Sequence, residues 1–414
     1  MNHDLYSSGL SANTQAILLL TAPLLLGRNP APAELLSHSE YKRLARHLHN
    51  SGHQPADLLS KDAADLLRAC QPIIDESRLR SLLGRGFLLS QAVTHWQSRA
   101  IWVVSRADSH YPSHLKVRLR DEAPPILYGC GDISLLDTGG VAVVGSRNAD
   151  PSELDYASHV GQLSAQAGKA IISGGARGVD QAAMQGAANA QGWVCEVMAE
   201  KLERAALDHQ RRAGLMENRL VLVSAHDPNA GFNVGHAMQR NKLIYALADA
   251  ALVVASDYQR GGTWAGAVEQ LEKMHLVPVY VRNNGRISKG LNGLLQKGAI
   301  PWPEPQDSTA LNAILNAPAP DTTAKPTSLP LFLDDNTPGQ SQAIVEDNPA
   351  EALFSTVRNI LQRLLATPMN DTAIANALNI SPNQAQTWLH RLVEEGILEQ
   401  QSLSSGYTLN KTLH

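Results

Sequence analysis

Three short stretches of the chain combine glycine with a cation or a hydroxyl, Gly145-Ser146-Arg147-Asn148, Ser173-Gly174-Gly175-Ala176-Arg177-Gly178-Val179-Asp180 and Gly261-Gly262-Thr263, and a fourth, Gln239-Arg240-Asn241-Lys242, is polar and carries two cations. Glycine lets a backbone approach a phosphate closely, and a helix N-terminus offers it free N–H groups. Arginine adds charge and a bidentate fork. Together they point to a phosphate-bearing ligand, with Gly145, Ser146, Arg147, Ser173, Gly174, Gly175, Arg177, Gly178, Arg240, Asn241, Lys242, Gly262 and Thr263 as the candidate binding residues. Tight strand-to-helix turns would explain the glycines but not the cations beside them. Asp180 suits a helix cap or a structural hydrogen bond, with a cation partner as the alternative. No G-x-G-x-x-G follows a strand and no G-x-x-x-x-G-K-[ST] occurs, which disfavours a dinucleotide redox enzyme or an NTPase. No cofactor and no metal site is expected.

The elements that must carry these loops are legible around them. Val141–Val144, Ala170–Ser173, Trp193–Val197, Leu220–Val223, Ala251–Ala255 and Val277–Val281 are short apolar runs rich in β-branched residues. Helical patterns such as Leu154–Ala167 and Ala265–Met274 separate them. Apolar on both faces and alternating with helices, the runs predict a Rossmann-like α/β domain with a buried parallel sheet. In such sheets ligands collect at the carboxyl ends of strands, where the glycine-rich loops fall.

Three further regions flank this domain, which is placed at residues 111–304. Residues 1–110 read as a small all-helical module, with Leu35, Tyr41, Leu44 and Leu48 at helical spacing and a buried helix broken near Pro23. Residues 305–350, rich in Pro, Asp, Thr and Ser, read as a flexible linker holding one apolar island, Leu329–Leu333. Residues 351–414 predict a winged helix: three helices, the third capped by Ser381 and begun by Pro382, then a hairpin of Ile397–Gln400 and Tyr407–Leu409. Its third helix offers only His390 and Arg391 as cations and ends in Glu394-Glu395, which favours a protein partner over duplex DNA.

Composition bounds the function. The 414 residues carry 35 Lys+Arg and 39 Asp+Glu, a formal charge of −4, which excludes a protein that coats nucleic acid through bulk charge. The total hides an uneven distribution: residues 1–120 hold 14 Lys+Arg against 9 Asp+Glu, and residues 305–350 hold 1 against 6. Three scattered cysteines, Cys70, Cys130 and Cys195, exclude a disulfide scaffold and a Cys-rich zinc site, in keeping with a reducing cytoplasm. The most apolar stretch, Ala16–Leu26, is too short to span a bilayer and lacks the flanks of a signal peptide, so no membrane partner is expected.

Gly145-Ser146-Arg147, then SGGARGVDQAA from Ser173 to Ala183, then RNKLIYALADAALVV from Arg240 to Val254 resemble, in order and spacing, the DNA-processing protein A (DprA/Smf) family. Asp108, Tyr111-Pro112, Leu115, Pro124–Tyr128 and Lys297-Gly298-Ala299 extend the resemblance over about residues 100–300. It implies a dimeric, non-catalytic protein that binds single-stranded DNA and loads a RecA-type recombinase in recombination and transformation. The family's DNA-phosphate pocket maps onto Gly145, Ser146, Arg147, the loop Gly174 to Gly178, and Arg240, Asn241 and Lys242. Met184 stands where the family usually has His, and Met198-Ala199-Glu200-Lys201 replaces a glycine-rich Tyr-Pro loop. Those departures leave two alternatives. One is a DprA-like regulator or antitoxin that holds a cognate toxin in a defence system. The other is a nucleotide phosphoribohydrolase-like enzyme using Glu269, six residues after Thr263, as its carboxylate.

Overall fold

The computed structural model describes residues 9–25, 34–285 and 287–317, together with short stretches between 369 and 409. The described chain falls into two units that divide after Pro326.

Among the described residues the first unit opens with five α-helices: α1 (Ala12–Thr21), α2 (His38–Asn50), α3 (Ala64–Ala69), α4 (Glu76–Leu83) and α5 (Gly86–Gln97). Helix α1 is the AILLL stretch. Ala16 to Leu20 are buried, and the helix stops two residues before Pro23, which cannot continue it. Helix α2 has a capping box in which Ser37 and Glu40 satisfy each other's backbone N–H groups.

The chain then builds a nine-stranded sheet. Its elements are β1 (Ile101–Ser105), α6 (Ser113–Leu119), β2 (Ile126–Gly131), β3 (Gly140–Gly145), α7 (Pro151–Gln166), β4 (Ala170–Ser173), α8 (Val179–Asn189) and β5 (Val194–Met198). Next come α9 (Leu202–Ala206), α10 (His209–Met216), β6 (Leu220–Ser224), α11 (Val234–Leu247), β7 (Ala250–Ala255) and α12 (Gly261–Glu269). Strand β8 (Val279–Val281), α13 (Lys289–Gln296), β9 (Ile300–Pro301) and α14 (Ser308–Asn316) close the unit. The strand order is β1-β2-β6-β5-β4-β3-β7-β8-β9. From β6 to β9 every pairing is parallel, whereas β1 and β2 join antiparallel at one edge. The central strands are buried on both faces. Val141, Val143 and Ile171 belong to one core, and Ala142, Val144 and Ile172 to the other.

Two segments differ from the sequence expectation. Ile101–Ser105, placed by composition in the helical module, is a fully buried strand of the sheet. It extends the first core into the helices, where Trp96 of α5 packs edge-on against Tyr128 of β2 at 5.2 Å. Residues 308–316, expected to begin a linker, form α14, capped by Asp307 and packed through buried Leu311 and Leu315. A proline-rich composition concealed the LNAIL periodicity in between.

In the second unit, β11 (Leu398–Gln401) and β12 (Gly406–Leu409) form an antiparallel hairpin, and β10 (Met369–Asn370) pairs with β12. The apolar island Leu329–Leu333 and most of the three expected helices lie outside the described residues.

Candidate nucleic-acid interface

The strand order reverses at β3. Strands β4, β5 and β6 extend to one side and β7, β8 and β9 to the other, so the loops after β3 and β7 part and leave a crevice. A cleft of about 560 Å³ occupies that place. Its lining brings together Gly145, Ser146, Arg147, Arg240, Asn241, Gly262 and Thr263 from the candidate set.

Close backbone contacts fix the loops. Ser146 N–H donates to Ala255 O at 3.0 Å, continuing the β3–β7 pairing beyond an irregularity at Val144/Gly145. Thr263 Oγ1 donates to Gly145 O at 2.9 Å, which ties the start of α12 to the end of β3. Asn241 Nδ2 donates to Gly262 O at 3.3 Å. Gly178, with φ +96°, turns the chain into α8, and a Cβ there would lie 2.4 Å from Ser146 O. These bonds hold the N-terminal turn of α12 at the cleft floor, where its first N–H groups need external acceptors.

Arg240 is the centre of the site. Its side chain is 12% exposed, and a Cβ on Gly174 would lie 1.3 Å from its Nη1, so the guanidinium rests on a surface only glycine leaves free. Its Nη1 lies 4.0 Å from Asp180 Oδ2, and its Nε has no hydrogen-bond partner among the described residues. Burial lowers its pKa from the ordinary value; Asp180 opposes that shift and the neighbouring Arg147 adds to it. The group remains cationic. Asp180 accepts a hydrogen bond from Gly174 N–H at 3.2 Å, so it serves both roles considered for it. Burial raises its pKa, while Arg240 and three backbone N–H groups pull it back.

A second cleft, about 850 Å³, meets the first at Arg147, Ala176, Phe232, Ala237 and Arg240. Gly174 and Gly175 line it, facing Glu196, whose carboxylate takes a two-pronged ion pair from Arg211 at 2.7 and 2.8 Å. Phe232 stands at the border of the two clefts with 64% of its surface exposed.

The remaining candidates lie off the first cleft. Ser173 is buried and donates to Val143 O at 2.6 Å. Arg177 reaches the rim, donating to Asn148 Oδ1 at 3.2 Å, and with Gly178 lines a groove beside α8. Lys242 points away from Arg240. Two residues apart on a helix means about 200° of rotation, so the two cations cannot share a face. Lys242 pairs with Glu269 at 3.2 Å and lines a third cleft of about 500 Å³, beside the stacked rings of His226 and His236. Glu269 is thereby engaged by Lys242 and does not line the first cleft. Arg260 and Phe232 line the cleft without any motif to mark them in the sequence. Among the described residues no cluster of His, Cys, Asp or Glu could hold a metal ion, and no helix is long and apolar enough to cross a membrane.

DNA processing protein DprA of Bacillus subtilis (strain 168) is 25% identical over 194 residues, covering 46% of this chain and 65% of the relative. Protein Smf of Escherichia coli (strain K12) is 30% identical over 213 residues, covering 49% of this chain and 54% of the relative. The chain thus matches less than two thirds of the length of either curated relative. Among solved structures, DNA processing protein A from Helicobacter pylori, a single-stranded-DNA binder, is 23% identical with a TM-score of 0.42 over 52% of this chain and 94% of that one. The family model for DNA recombination-mediator protein A matches residues 102–312, which span the sheet and every loop of the cleft. The chain belongs to the DNA recombination-mediator protein A family.

Proposed function

We propose that the cleft at the ends of β3 and β7 grips the phosphate backbone of single-stranded DNA. The observation that carries this reading is Arg240, a cation 12% exposed at the junction of two clefts, with a buried Nε lacking a partner. A buried donor without a partner costs about 1–3 kcal/mol, which a phosphate oxygen would recover. Arg147 and Arg260 flank the cleft, and the start of α12 supplies backbone N–H groups. A recessed guanidinium suits a flexible single strand that can dip between loops; duplex DNA, stiff over about 50 nm, cannot bend so locally. Phe232 at the border offers an exposed ring for base stacking, the sequence-tolerant contact of single-strand binders.

In this reading the protein acts as a homodimer without catalytic turnover, and it delivers the bound strand to a RecA-type recombinase. Fluorescence anisotropy with an oligothymidylate and with a duplex of equal length tests the DNA-binding claim. Tighter binding of the single strand, weakened by Arg147→Ala, is expected. Equal affinity for both, or no effect of the substitution, overturns it.

A further inference from the structure

We propose that Asp180 is a positioning residue for the bound strand, acting only through Arg240, whose guanidinium it holds at the junction of the two clefts. The inference rests on the single-strand reading above. Asp180 is the second residue of α8 and its side chain is 7% exposed. One oxygen, Oδ2, both accepts from Gly174 N–H at 3.2 Å and faces Arg240 Nη1 at 4.0 Å. A single carboxylate therefore links the loop after β4 to a cation that arrives from α11.

A carboxylate in the lining of an anion-binding cleft is electrostatically adverse in itself, since it repels the phosphate. Its presence makes sense if the guanidinium it orders gains more than the repulsion loses. Arginine has a long, rotamer-rich side chain that must be pinned before its fork can meet a phosphate. The other buried carboxylate nearby, Glu196, acts on Arg240 only at longer range, and its two oxygens are each engaged by Arg211. Asp180 is the carboxylate paired with Arg240. The position of Gly174 completes the arrangement: it leaves room for the guanidinium and donates its N–H to the same carboxylate.

Simple repulsion and positioning predict opposite signs, which makes the test decisive. Asp180→Asn removes the charge while an amide oxygen still accepts from Gly174. Binding of a fluorescent oligothymidylate is measured for the wild type, Asp180→Asn, Arg240→Gln and the double variant, with thermal melts of all four. Positioning predicts that Asp180→Asn weakens binding at least about threefold in the wild-type background and has no effect beside Arg240→Gln, a coupling of the size seen for contacting residues. Tighter binding by Asp180→Asn overturns the proposal in favour of repulsion. Equal weakening in both backgrounds overturns it in favour of a scaffold role. A wild type that fails to bind the oligonucleotide overturns instead the single-strand reading on which the proposal stands.

Discussion

Gly174→Ala should separate binding from folding. The added Cβ would fall 1.3 Å from Arg240 Nη1 and 2.3 Å from its Cζ, positions no real pair of atoms occupies. The neighbour it meets is the tip of a side chain, so the guanidinium moves and the backbone stays. Restoring van der Waals separation displaces the tip by about 2 Å. A charge-assisted hydrogen bond does not survive that displacement, because its N···O distance is confined to about 2.7–2.9 Å. Loss of one hydrogen bond to a charged group is about 1.5–3 kcal/mol, or roughly ten- to a hundredfold in Kd. Stability should fall by no more than about 1 kcal/mol, the low end for overpacking, since the displaced group can swing toward solvent. Anisotropy with an oligothymidylate and a thermal melt, run on the same preparation, read the two effects. Wild-type affinity in a folded Gly174→Ala protein would mean that the guanidinium's place beside the loop is irrelevant to the ligand.

Gly178→Ala should do the reverse and strike the fold: its Cβ would meet the Ser146 backbone oxygen at 2.4 Å, at a residue with φ +96°, so the melting temperature should drop by several degrees as about 2 kcal/mol is lost. Lys242→Ala should change single-strand affinity by less than about twofold, in contrast with Arg147→Ala, because Lys242 is paired with Glu269 on the far side of α11; a loss as large as that of Arg147→Ala would place Lys242 on the strand after all. Asp227 is 4% exposed, and burial pushes its carboxyl up to about 6, although it accepts from Leu25 and Asn229 N–H groups. A raised carboxyl binds its proton in the folded state between pH 4 and 6 while the unfolded chain has lost it, so stability falls as pH rises through that window. His226, pulled down to about 4 by burial, acts in the opposite sense there, so the comparison is between variant and wild type. Asp227→Asn should stabilise the protein by about 3 kcal/mol at pH 8, with most of the advantage gone by pH 4; an equal effect at both pH values, measured by denaturant unfolding, would contradict it.

The apolar runs 141–144, 170–173, 220–223 and 251–255 were legible as strands because each is buried on both faces, which leaves a signal of composition as well as period. The glycine-rich loops at their ends were legible for a related reason: Gly178 needs φ +96°, and Gly145 lies where a Cβ would strike Val179. Strand β1 was concealed because a buried edge strand of five residues, next to helices, resembles one more helical turn. Its antiparallel pairing with β2 depends on a partner 21 residues further along, which no local pattern reveals. That Lys242 faces away from Arg240 was hidden by proximity in sequence, since Arg240-Asn241-Lys242 reads as one basic cluster although a helix turns its two cations apart. Arg260 and Phe232 reach the cleft through loop geometry alone. The ion pair between Asp180 and Arg240 joins residues 60 positions apart and could be seen only once α8 and α11 were placed.

Phosphates held in the cleft between Arg147 and Arg240 should leave an electrostatic signature in binding. The most direct measurement is the salt dependence of oligothymidylate binding for the wild type and for the double variant Arg147→Ala/Arg240→Ala. Each phosphate neutralised on a single strand contributes about −0.7 to the slope of log K against log salt. Removing both arginines should therefore flatten the slope by about 1.4 and weaken binding at every salt concentration. A double variant that stays folded and keeps the wild-type slope would contradict the account.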